Sequence, residues 1–261
     1  MIDFHTHTPA WKAATWLAGE AFDADEFVAF LDVTGARAAV VLSHDGLFRP
    51  TPEANDDLAA FVSRHPDRLF GFCTVTPRDP NAVAEVRRCF SELGMRGLKW
   101  HPWLQGFSMH EKSLDPICDV VEEFGGIILC HDGTPPYSTA LQIAALARRH
   151  PGIPVVLGHG GLHDTWREAL AASNETPNLY HCICGTPPYA ARHIIENGPI
   201  DRILFGTDAG LSDKASQDYA VARVEEIDGW GISATAKRAM LIDNPRRLLG
   251  LEPAEPTEPA A

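Results

Sequence analysis

No stretch of this 261-residue sequence is long and apolar enough to span a membrane, and no charged leader with a cleavage site precedes the first apolar segment. A cytoplasmic protein is therefore expected. Basic residues are scarce, with 22 Lys and Arg against 35 Asp and Glu, for a formal net charge of -13. Nucleic acid and anionic membrane both demand a basic face, so neither is an expected partner. The six cysteines (Cys73, Cys89, Cys118, Cys130, Cys182 and Cys184) are scattered, most of them inside apolar stretches where Cys acts as a small hydrophobe. Cys182-Ile183-Cys184 is not zinc-knuckle spacing, and reduced thiols without a disulfide framework are expected. No Gly-rich phosphate fingerprint follows an apolar run; Leu157-Gly-His-Gly-Gly161 comes nearest and lacks the G-x-G-x-x-G spacing.

What is present is one unit, repeated. A hydrophobic content of 45% is ample for a core. Apolar runs at Ala38–Leu42, Leu69–Val75, Met95–Trp100, Gly126–Cys130, Pro154–Leu157, Leu179–Ile183 and Arg202–Phe205 join the opening Ile2–His7 to make eight strand candidates. Segments with helical periodicity fall between them, at Pro52–His65, Pro80–Leu93, Leu114–Phe124, Thr139–His150, Trp166–Ser173 and Tyr189–Glu196. Asp23-Ala-Asp-Glu26 reads as a helix start, and Ala234–Met240 and Asn244–Leu249 as the closing helices. Continuous apolar strands mean burial on both faces, and strands separated by helices mean parallel pairing. Eight such units in a chain of about 250 residues point to a closed (β/α)8 TIM barrel, with an open doubly wound sheet as the runner-up. The barrel is expected to form a single domain over residues 1–251, followed by a disordered Pro-rich acidic tail at 252–261.

The ends of the strands decide between the two architectures. His5 and His7, His44, Cys73, Lys99 and His101, His131, His159, Cys184 and Asp208 all close an apolar run. A doubly wound sheet uses only its switch point, whereas a barrel gathers every strand C-terminus around one axis, so the barrel is favoured. Alternation along a strand puts Asp3, His5 and His7 on one side and Ile2 and Phe4 on the other. Singly, each polar residue has a bland explanation: His131 as a core histidine bonded to a carbonyl, Asp208 as a cap on the following turn. Together, imidazoles and a carboxylate suit Zn²⁺, with Mn²⁺, Fe²⁺ or Co²⁺ as possible occupants. Pro9–Glu20, carrying Trp11 and Trp16, reads as a loop or short helix over the mouth, with Trp11 as a substrate contact and ordinary packing of the two tryptophans on the barrel rim as the alternative.

His5-X-His7, Gly97-Leu-Lys-Trp-His-Pro102, His131, His159, Gly206-Thr-Asp208 and Asn244-Pro-Arg-Arg-Leu-Leu-Gly250 together resemble the amidohydrolase superfamily. More narrowly, they are similar to its amidohydrolase-2 branch, which includes the aminocarboxymuconate-semialdehyde decarboxylase-like enzymes. The resemblance runs from Met1 to about Leu251. It implies one divalent metal held by His5, His7, His131 and Asp208, with His159 hydrogen-bonding a metal-bound water or the substrate. A lysine near the position of Lys99 is carboxylated in binuclear members; here a single metal is favoured, with Lys99 or His101 contacting an anionic substrate.

The expected activity is metal-assisted hydrolysis of a C–N or C–O bond (amide, lactone or ester) in a small, carboxylate-bearing molecule. In that reading Asp208 shuttles the proton and His159 stabilises developing charge. The alternative is non-oxidative decarboxylation of an aromatic or unsaturated acid, its carboxylate received by Lys99, Arg49 or Arg192. A non-catalytic metal-binding barrel and a hydrolase with a Cys184 or Cys73 nucleophile are weaker readings. The oligomeric state stays open, a homodimer paired through rim helices included.

Overall fold

Strands that are apolar on both faces need cover inside and out, and a sheet rolled up within a ring of helices supplies both. The computed structural model describes residues 1–7, 22–210 and 217–254 and shows that arrangement. Eight strands run in chain order: β1 (Ile2–His7), β2 (Ala38–Leu42), β3 (Leu69–Cys73), β4 (Gly97–Trp100), β5 (Ile127–Cys130), β6 (Val155–Leu157), β7 (Leu179–Ile183) and β8 (Ile203–Phe205). Each is parallel to the next. The helices between and after them are α1 (Ala24–Val33), α2 (Thr51–Val62), α3 (Ala82–Ser91), α4 (Pro102–Gln105), α5 (Asp115–Glu123), α6 (Ala140–Arg149), α7 (Trp166–Glu175), α8 (Pro188–Asn197), α9 (Gln217–Glu225), α10 (Ala234–Arg238) and α11 (Asn244–Leu248). The chain is thus a single-domain (β/α)8 TIM barrel.

The sheet closes between β1 and β8 through an isolated parallel bridge, Thr6 with Ala209. Two backbone hydrogen bonds make it: His7 N to Ala209 O and Asp208 N to His5 O, both 2.8 Å. Alternation then sorts the side chains. Val40, Leu42, Phe70, Phe72, Ile127, Leu129, Val156, Cys182 and Leu204 fill the barrel interior. Their neighbours Ala39, Val41, Cys73, Leu98, Trp100, Ile128 and Leu157 face the helices instead. Burying one such Leu or Phe side chain contributes about 1.5–3 kcal/mol, so the two apolar layers carry most of the stability.

Element boundaries follow local chemistry. Asp23 caps α1 in a capping box with Glu26, as its sequence promises. The third strand stops at Cys73, short of the expected Val75, because Thr74 turns away: its N–H donates to Asn55 Oδ1 at 3.0 Å and its hydroxyl to Lys99 O at 2.8 Å. Asn244, from the closing motif, is buried and donates to Ile200 O at 2.7 Å and Ile203 O at 2.8 Å, tying α11 to the entry of β8. Among the described residues no helix is long and apolar enough to cross a membrane. Of the expected tail, only Glu252, Pro253 and Ala254 lie within the described residues.

Candidate active site

The first strand departs from strict alternation. Asp3 pairs with Ala39 and Thr6 with Val41, so two residues of β1 stand opposite one of β2. Phe4 packs edge-on against Phe72 inside the barrel, ring centroids 6.1 Å apart. His5, the next residue, also reaches inward, where its Nδ1 lies 2.7 Å from Gly158 O. A regular strand would send these two to opposite faces. The bulge admits both, and His7 returns to the same interior with its ring 5.2 Å from that of His5. Asp3 does not share their direction: it turns to the seam with β8, accepting from Thr207 Oγ1 at 2.6 Å, Thr207 N at 3.1 Å and His5 N at 3.2 Å.

Asp208 sits at the centre. Its φ of 62° is one of two positive values among the described non-glycine residues, a strain of about 1–3 kcal/mol that persists only where surroundings enforce it. Here the enforcement is the Asp208 N to His5 O bond together with the hydrogen bond that Oδ1 accepts from His7 Nε2 at 2.9 Å; His5 Nε2 lies 3.3 Å from the same oxygen. With Gly158 O taking the Nδ1 proton of His5, its Nε2 presents a lone pair inward. Lys99 Nζ lies 3.4 Å from that same nitrogen, at the end of β4.

A ring of imidazoles surrounds this centre. His159 stands 4.6 Å from His5 and 4.4 Å from His131, ring to ring; His131 stacks on His101 at 3.8 Å, and His44 lies 4.9 Å from His7. All are buried, apart from partly buried His131. Burial holds them neutral: His44 and His101 are pushed down to about 2 and His159 to about 4, while His5, His7 and His131 also fall below the ordinary imidazole value. Burial likewise lowers Lys99. For Asp208 burial works the other way, but the hydrogen bond from His7 opposes it and the carboxyl falls well below its ordinary value.

One ionised carboxylate amid neutral imidazoles is a donor set for a dication. The His7 Nδ1 atom is buried without a hydrogen-bond partner, so Nε2 is held by its contact with Asp208 alone. Ligating atoms of His5, His159, Cys184 and Asp208 all lie within 4.8 Å of one another. The residues present therefore fit a divalent metal. Two of the expected ligands are outside that compact group: His131, whose Nε2 is directed at Thr134 Oγ1, 2.9 Å away, and His7, whose Nε2 meets Asp208 Oδ1 at 2.9 Å; His159, expected not to ligate, is inside it.

Other sequence candidates are distributed as follows. Lys99 and His101 both reach the site from the end of β4, whereas Trp11 and the loop around it lie outside the described residues. Arg49 is not directed at the site: it is engaged by Asp45 and Asp57. Arg192 pairs with Glu196 at 2.8 Å on α8. Cys73 faces the helix layer, its Sγ 3.4 Å from Gly97 O. Cys184 is at the site, but burial and Asp208 push its thiol well above the ordinary range, which does not suit a nucleophile.

Asp132 is the residue that sequence reasoning passed over. Directly after His131, it is fully buried and accepts from His159 N and Gly161 N, both at 2.6 Å. Burial raises its pKa to about 6 against those two bonds. Its carboxylate fixes the turn that presents His159, where Gly160 and Gly161 take positive φ values of 55° and 84°. The Asp132→Asn variant sets an NH₂ against one of the two N–H groups. A loss of about 2 kcal/mol is expected, read as a Tm drop of roughly 4–8 °C in thermal unfolding. An unchanged Tm would mean that the turn stands without the clamp.

Comparison with known proteins places this geometry. A family model described as amidohydrolase matches residues 2–251. The 2-amino-3-carboxymuconate-6-semialdehyde decarboxylase of Dictyostelium discoideum is 28% identical over 130 residues, covering 41% of this chain and 36% of the relative. The gamma-resorcylate decarboxylase of Rhodococcus jostii is 27% identical over 144 residues, covering 41% and 44%. The chain thus matches less than half the length of either relative. Among solved structures, 2,6-dihydroxybenzoate decarboxylase from Rhizobium shares the fold with a TM-score of 0.74 at 19% identity, over 95% of this chain and 98% of that one. The 5-carboxyvanillate decarboxylase of Novosphingobium aromaticivorans, complexed with manganese and a nitrobenzoic acid, gives 0.73 at 18%, over 96% and 95%. These relatives overturn the expectation of C–N or C–O hydrolysis, because they are decarboxylases, the alternative raised from the sequence.

Proposed function

Because this chain belongs to the amidohydrolase family, we propose that it is a metal-dependent, non-oxidative decarboxylase of a small aromatic or unsaturated carboxylic acid. What supports a metal-dependent enzyme is Asp208 enclosed by imidazoles at the C-terminal mouth of the barrel, the face on which such barrels do their chemistry, and what favours decarboxylation over hydrolysis is the likeness to two decarboxylases. The residues that would hold the ion are His5, His7, Asp208 and His131, the last giving up its contact with Thr134 to do so. A divalent ion there, Zn²⁺ or one of Mn²⁺, Fe²⁺ and Co²⁺, supplies a Lewis-acidic anchor for substrate oxygens.

The reaction takes in one proton at the carbon that bears the carboxylate. As the C–C bond breaks, its electron pair stays with that carbon and CO₂ leaves. Asp208 Oδ1 and the His159 ring flank the same space and are the groups able to carry the proton. Lys99 Nζ, buried beside His5, offers the one ammonium in the described centre for an anionic substrate. The stacked His101 and His131 wall one side, which suits a planar substrate.

Release of CO₂ from a panel of hydroxybenzoates and unsaturated dicarboxylates is the test. Turnover should stop on chelation and return when metal is restored. Hydrolysis of an amide or lactone panel with no CO₂ from any acid would sink the proposal.

A further inference from the structure

Cys184 stands out among the buried thiols. It follows the last residue of β7 and is fully buried. That sulfur belongs to the compact group with His5, His159 and Asp208, all ligating atoms within 4.8 Å of one another. Cys182, two residues earlier on the same strand, is an internal control. Both thiols border the same apolar interior cluster, but Cys182 has its Sγ 3.2 Å from where a Cβ on Gly206 would stand and is outside the compact group. Both thiols fill space, and Cys184 alone of the two also stands within reach of the candidate metal donors.

Resting on the metal-centre reading above, we propose that Cys184 Sγ is itself a donor to the ion, making the centre a mixed nitrogen, oxygen and sulfur site. As the sulfur–metal bond forms, the thiol proton leaves to solvent. Thiolate is a soft ligand that favours Zn²⁺ and Co²⁺ over Mn²⁺, which prefers oxygen. The centre therefore discriminates among divalent metals, where one built of imidazole and carboxylate alone binds them all.

The test uses the full chain, stripped with chelator and loaded with Co²⁺ alone. One cobalt per chain is expected, with a near-ultraviolet sulfur-to-cobalt charge-transfer band as well as the weak visible bands of bound cobalt. The band should vanish in Cys184→Ser and persist in Cys182→Ala. Competition between metals gives a second measure: Zn²⁺ affinity of Cys184→Ser should fall by more than the roughly 10–100-fold of an outer-sphere change, with Mn²⁺ affinity within about threefold of the parent, the selectivity that a lost soft ligand implies. Cobalt bound at one per chain without the band, or with a band that survives in Cys184→Ser, overturns the inference and leaves the metal centre standing. No cobalt bound at all overturns both. Circular dichroism of Cys184→Ser separates ligand loss from misfolding, and a misfolded Ser variant hands the decision to Cys184→Ala in the same assay.

Discussion

Asp208→Asn is expected to abolish turnover, by at least roughly 10³-fold, and to empty the metal centre. The scale is that of a lost proton carrier combined with a lost electrostatic anchor. Asn is the informative replacement because it tolerates the left-handed backbone that Asp208 adopts at φ 62°, so the fold is not asked to absorb new strain. What disappears is the only carboxylate among the described residues that both His5 and His7 meet, at 3.3 and 2.9 Å. His5→Ala should behave alike. His159→Ala should keep its metal and lose rate, since the carboxylate and both β1 imidazoles remain. Elemental analysis per chain alongside initial rates reads all three; Asp208→Asn with full metal and full rate would remove the basis of the site.

The second large effect is expected from a single methyl group. A Cβ at Gly206 would lie 2.4 Å from His5 Cβ and 3.0 Å from His5 N. The backbone contact cannot be relieved by rotating a side chain, so β8 must move away from β1 at the point where the barrel closes. Overpacking of this kind costs about 3 kcal/mol or more, a Tm drop of roughly 6–12 °C for a chain of this length, and His5 shifts along with Asp208. Gly229→Ala is the matched control, since nothing lies within 4 Å of its added methyl. A Tm for Gly206→Ala within about 2 °C of the parent would show the seam to be softer than this packing implies.

Much of this was legible in the residues. Eight apolar runs alternating with helical periodicity specify the barrel because parallel strands, covered twice, cannot be polar on either face. Ala38–Leu42 and Leu179–Ile183 are strands to the residue. The convergence of His5, His7, His159 and Asp208 followed from their shared position at strand ends. Three things did not follow. The bulge in β1 leaves no mark in a period-2 pattern, so Phe4 and His5 were assigned opposite faces. The Asp132 clamp depends on a turn that meets it 27 and 29 positions later, and a carboxylate after a histidine looks like any turn residue. The choice between cleaving C–N, C–O or C–C bonds was not encoded in the donor set at all, since the same ion and the same bases serve each of them.

The seam between β1 and β8 has a consequence for assembly. The His7 to Asp208 and Asp3 to Thr207 contacts join positions 201 and 204 residues apart in the chain. Contacts of such separation form late, after the intervening loops have closed. During synthesis the two histidines of β1 emerge long before the carboxylate that meets them, so a half-made barrel holds imidazoles with no anionic partner from β8. The full cluster is assembled in one step, when the eighth strand docks.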